Sequence, residues 1–236
     1  MSLGLVDHVM VSLVVGVPPG RLLAAWGTGA TAGPWLERGR WLVWAGRERP
    51  GRVRLGVQRA VAGGPGWQEC LLVWETWTMQ GVRGPVARAV TAGGGRMLAV
   101  GGTPVQARVL HAEDGRVLAE VSALGGLRDQ DPEHLLARAV DAAGTINGAG
   151  LGRFASGEAL EVVRRVSGVD LDTQDLRALL ECVEVTALPH EEHDAGRRGP
   201  GPGDVPVVPL PLGRDPHAPA WGGAFPGGSA SGRLLP

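Results

Sequence analysis

The stretch 105–121, VQARVLHAEDGRVLAEV, decides how this chain folds. Val105, Ala107 and Val109 alternate with Gln106, Arg108 and Leu110, and Val117, Ala119 and Val121 return along the same face. Between them Asp114-Gly115 is a two-residue turn able to take φ > 0, so the stretch is a β-hairpin and its surroundings belong to a sheet.

Upstream, Met97 to Val100 is an unbroken apolar run and reads as a strand. Residues 68–75 carry Leu71, Leu72, Val73 and Trp74 in succession, which predicts a central strand covered on both faces. Over 52–58, Val53, Leu55 and Val57 point inward against Arg52, Arg54 and Gln58 outward. Residues 41–45 read as a compact strand followed by a turn at 47–51. The apolar residues 9–15 suit a strand and a first helical turn equally. Pro18 and Pro19 favour a helix start, Leu22, Leu23 and Trp26 share one face, Gly27 stops the helix, and 27–34 reads as a loop. Gly84 and Pro85 open a further short helix over 86–90.

Downstream of Gly126 the apolar period lengthens from two to about 3.6. Asp131 with Pro132 predicts a helix carrying Leu135, Leu136, Ala139, Val140 and Ala143, and Ser156 predicts one carrying Ala159, Leu160 and Val163 up to Gly168. A third helix is predicted after Asp172, with Leu176, Leu179, Leu180 and Val183 as its buried stripe. Strands first and helices afterwards predict an α+β fold with an antiparallel or mixed sheet and helices mostly C-terminal. One domain over 1–188 is expected, because the apolar pattern stops there.

Residues 189–236 hold ten Pro and ten Gly in 48 positions, with Trp221 and Phe225 as the only large aromatics. Such a composition cannot bury enough apolar surface to offset ordering, so a disordered tail is expected, with 206–211 favouring extended polyproline geometry.

All 23 basic residues other than His are Arg, against 24 acidic ones, and the net charge of -1 shows no stripe that could neutralise a run of phosphates. Nucleic acid is therefore not an expected partner. The apolar residues near the N-terminus are too few to span a bilayer and lack a basic flank, so neither a signal peptide, a membrane partner nor a transmembrane helix is expected and the cytoplasm is the default location. Cys70 and Cys182 lie far apart in sequence and read as buried small hydrophobes rather than a disulfide.

Few residues suggest chemistry. Glu75, Arg83 and His111 are the only catalytic candidates, and they require the fold to gather them into a polar pocket. His190 and His193 stand beside Glu191, Glu192 and Asp194, but the zinc-protease spacing of two His four apart is not met, so no metal is expected. The Gly pairs lack the following Lys of a phosphate loop, no Gly-x-Ser-x-Gly elbow occurs, and no cofactor is expected. Trp41, Trp44, Trp67, Trp74 and Trp77 make the middle of the chain rich in indole; of these Trp74 and Trp77 are the candidate anchors for a protein partner, against the alternative that large indoles fill the core.

The chain also resembles an uncharacterised domain family common in actinobacteria. Gly16, Val17, Pro18, Leu22, Leu23 and Gly27 match its opening element; Val73, Trp74, Glu75, Gly81 and Ala112 to Arg116 match its middle block. Val162, Arg165, Val166, Ser167, Gly168, Val169 and Leu171 match its close, so the likeness covers about residues 9–182. The family's Asn-Gly-Trp turn is replaced here around Trp77 to Gly81, and an insertion separates the first helix from Trp67. The resemblance implies a shared fold and no activity. The functional expectation is a non-catalytic protein-interaction or regulatory module; the alternatives are a small hydrolytic enzyme with an unrecognised site and a structural accessory protein.

Overall fold

A computed structural model describes residues 9–47, 51–60, 64, 66–76, 78–103, 106–144, 154–171 and 179–187. In chain order these form β1 (Val9–Val15), α1 (Pro19–Trp26), β2 (Gly27–Glu37), α2 (Arg38–Ala45), β3 (Arg52–Ala60), β4 (Cys70–Thr76) and α3 (Gly84–Thr91). They continue with β5 (Arg96–Thr103), β6 (Gln106–Glu113), β7 (Arg116–Ser122), β8 (Gly126–Asp129), α4 (Leu135–Ala142), α5 (Ser156–Ser167) and β9 (Leu179–Ala187). The described strands make one sheet in the order β2-β9-β3-β4-β1-β5-β6-β7-β8, with each neighbouring pair antiparallel. The fold is α+β, and its longest described helix, α5, lies in the C-terminal part.

β1 sits at the centre because its side chains are apolar in both directions. Val9, Val11 and Leu13 enter one core, and Met10 and Val14 enter the other. The first core lies under α2, α4 and α5, through Trp41, Leu136, Val140, Ala159 and Val163. The second lies under α1 and α3, through Leu22, Leu23, Trp26, Val86 and Val90. The sheet is thus covered on both faces, which explains why β4 is buried along its whole length, as its unbroken apolar run predicts.

The hairpin turn forms as expected, but a register shift between His111 and Ala112 turns Val117 toward the α1/α3 core while Ala119 and Val121 enter the other, so the three do not share one face. Asp114 (φ 45°) and Gly115 (φ 73°) both take positive φ between paired Glu113 and Arg116, the geometry of a tight turn that matches strand twist. Pro19 opens α1, and Gly168 at φ 72° closes α5.

Four further expectations are corrected. Residues 27–34 are part of strand β2 rather than a loop: β9 returns from far along the chain to pair with them. A side chain at Gly27 would overlap the Thr186 carbonyl oxygen, so this position admits only glycine at that approach. Residues 41–45 are helical, because Trp41 and Ala45, four apart, turn together into the core. Gly56 of β3 makes room for that Trp41, since a Cβ there would stand 2.9 Å from its Nε1.

Arg54, expected outward, is buried, because the face it uses is roofed by α2. Its guanidinium lies 4.6 Å from the Trp44 ring centroid and donates to the carbonyls of Trp44 and, at 3.1 Å, Arg47. It also donates to Glu184 at 2.8 Å, so one cation caps the C-terminal end of α2 and ties it to β9. Finally Leu179, Leu180 and Val183 belong to strand β9, not a helix: Leu180 and Cys182 enter one core, Val183 and Val185 the other. A run buried on both sides has no period of its own to separate strand from helix.

Candidate functional site

Glu75 is fully enclosed on the α1/α3 face of β4. Its carboxylate accepts the Trp26 indole N–H at 2.9 Å, the backbone N–H of Gln80 at 2.6 Å and of Gly81 at 3.0 Å, and the Thr78 hydroxyl. Burial pushes the carboxyl up to about 6, while these donors and the Arg83 charge pull it back. Both oxygens are therefore committed to holding the loop after β4 against α1. A close fit surrounds them: a Cβ on Gly81 would come within 2.6 Å of Ser12 Oγ.

His111 stands on the opposite face. It projects from β6 into the α4/α5 core, fully buried, 6.2 Å between ring centroids from Trp67 and 3.4 Å from Asp131 Oδ2 through Nδ1. Burial lowers its pKa below the ordinary value, Arg96 adds to this, and Asp131 opposes it. The fold thus brings Arg83 into the neighbourhood of Glu75 and puts the sheet between both of them and His111.

Trp74 is buried on the α2 face, with the Arg38 guanidinium 4.8 Å from its ring centroid. Trp77, His190, His193 and the whole of 189–236 lie outside the described residues. An open cleft of about 330 Å³ lies near the ends of β1 and β3, with Val14, Arg59, Glu69 and Leu71 in its wall, and includes none of the candidates. Among the described residues no three His, Cys, Asp or Glu side chains gather where an ion could sit, and no helix is long and apolar enough to cross a membrane.

Sequence reasoning missed three exposed apolar groups, Trp35, Val43 and Leu179. Val43 is 65% exposed on α2, and Trp35 (37%) and Leu179 (46%) are exposed at the adjoining sheet edge. In register Trp35 faces Glu181 while Leu179 faces Glu37, so these two apolar groups are diagonal neighbours on one face, the one opposite α2, since the alternate pair Leu36 and Leu180 turns to the Trp41 core. Exposed Arg40 stands one turn before Val43 on α2, and exposed Arg47 follows the end of the helix. The signal available in the sequence was the apolar run 41–45 itself, which has more apolar positions than one helix face can bury. No family model, curated protein or solved structure matches the chain.

Proposed function

We propose that the protein is a non-catalytic interaction module that displays α2 to a protein partner. The observation that carries this reading is Val43, 65% exposed on α2, an element held rigidly from beneath. Arg38 against Trp74 and Arg54 against Trp44 fix the two ends of α2, and Trp41 anchors its middle. A preordered surface loses little entropy on binding, which favours affinity from a small apolar contact.

The partner's chemistry follows from the stripe. Val43 between Arg40 and Arg47 suits a segment that presents an apolar side chain flanked by carboxylates. β2 itself is a poor template for strand addition, since it contains Pro34 and two register shifts, between Thr28 and Thr31 and between Ala32 and Trp35. The helix face is the anchor. The separation of Glu75 from His111 by the sheet also favours binding over catalysis.

The test is capture from the protein's own cells with the full chain, Val43→Glu and Leu124→Glu. Leu124 is 87% exposed in the turn after β7 and serves as the control. One protein retained by wild type and Leu124→Glu, weakened by salt and lost with Val43→Glu at unchanged circular dichroism, supports the reading. Equal retention by Val43→Glu, or no selective retention by the wild type, sinks it.

A further inference from the structure

We propose that His111 is an acid switch, releasing Trp67 and the segment that holds α4 from one face of the sheet while α1 and α3 stay on the other. His111 sits inside the sheet, paired with Leu98 of β5 and Ala119 of β7, beside a register shift between His111 and Ala112. Above it are Trp67 and Asp131. Neither ring nitrogen makes a well-formed hydrogen bond among the described residues, and the nearest acceptor is Asp131 Oδ2 at 3.4 Å.

Asp131 is already occupied. Its Oδ1 accepts the N–H of Glu133 at 3.0 Å and its Oδ2 the N–H of Leu135 at 3.2 Å, which fixes the entry to α4. The same connector is braced by Asp129, which accepts the Asp131 N–H at 2.9 Å and pairs with His134 Nδ1 at 2.7 Å. The expected capping role of Asp131 is thus real, although the helix begins at Leu135.

The charged groups acting on His111 are Asp131 from the connector, Arg96 from β5 and Glu113 from its own strand. Arg96 is held by Glu113 at 3.0 and 3.1 Å and lies 5.7 Å from the Trp67 ring centroid. α5, which also packs on β6, contributes Ala159, Val162 and Val163 to this core, and β7 contributes Ala119. A neutral imidazole fits such a place. An imidazolium meets a like charge from Arg96, the Glu113 carboxylate that Arg96 already holds, and the Asp131 carboxylate that shares its oxygens with two backbone N–H groups. Movement of Trp67 or of the connector, which lie over the ring, would admit water to it.

The sign follows from the lowered pKa. The unfolded chain takes up the proton first, so stability from this site is full above the ordinary His value, about 6.5, and is lost as pH falls toward the folded value. Release therefore belongs to mildly acid conditions.

Hydrogen exchange of the full chain, corrected for intrinsic rates, is compared between about pH 7 and about pH 5. Peptides containing Trp67 and those of α4 should lose protection at least tenfold, while α1 and α3 keep theirs. His111→Gln should remove this difference. Simultaneous loss on both faces, or survival of the response in His111→Gln, overturns the proposal. Should His111→Gln fail to fold, the wild-type His111 ring and the Leu135 amide must titrate by NMR with a common midpoint; separate midpoints overturn it equally.

Discussion

Trp26 donates its indole N–H to Glu75 Oε2 at 2.9 Å, tying the last residue of α1 to the penultimate residue of β4. Three further donors converge on the same carboxylate, so removing it strands several buried polar groups at once. Glu75→Ala should cost about 3 kcal/mol in urea unfolding, and Glu75→Gln less, because one oxygen can still accept while the new NH₂ faces donors. The pH dependence has a definite sign. Burial raises this carboxyl to about 6, so its contribution is full below the ordinary value of 4.5 and is lost as pH rises through about 6. Glu75→Gln should therefore flatten a fall in stability across that window, measured as the unfolding midpoint against pH. The shift at His111 acts in the opposite direction.

Arg54→Lys should be destabilising by about 2 kcal/mol despite keeping the charge. An ammonium cannot meet Glu184, stack on Trp44 and reach the carbonyls of Trp44 and Arg47 together, as the planar guanidinium does. Guanidinium-induced unfolding of the full chain measures it, and a cost below the error of extrapolation contradicts the capping role.

Cys70 and Cys182 are both free and buried, and burial pushes their thiols up to about 11 and about 12. Neither forms appreciable thiolate near neutral pH. A thiol reagent should find no fast-reacting group in the native protein and two after addition of denaturant; rapid native modification of either would show that its strand opens locally.

Truncation after residue 188 should leave the unfolding midpoint unchanged, whereas truncation after residue 178 should abolish folding. β9 lies between β2 and β3, and its last paired residue is Ala187, opposite Gly27. Circular dichroism melts of the two fragments decide the matter, and a stable 1–178 fragment would refute the placement of β9 inside the sheet.

Much of the fold was legible wherever one physical signal was unopposed. The Asp114-Gly115 turn between alternating strands, the Pro19 entry and Gly27 exit of α1, and the helical spacing of Leu136, Ala139 and Val140 are local facts, set by backbone geometry and the period of one buried face. His111, expected at the surface, is instead buried, because the α4/α5 face that roofs it is assembled from elements later in the chain.

What the amino-acid sequence alone determined is the class, α+β, and most of the strands around the hairpin, because period and turn chemistry act over a few residues. Only the tertiary structure decided that 27–34 is a strand, that Trp41 turns on a helix and that Leu179 to Val183 is extended. Each depends on a partner remote in the chain: β9 for β2, Gly56 and Arg54 for α2, and two apolar faces for β9. The parting of Glu75 from His111 has the same origin. Side-chain alternation gives each strand two faces, but which face looks toward α1 and which toward α4 is set by how the whole sheet is covered.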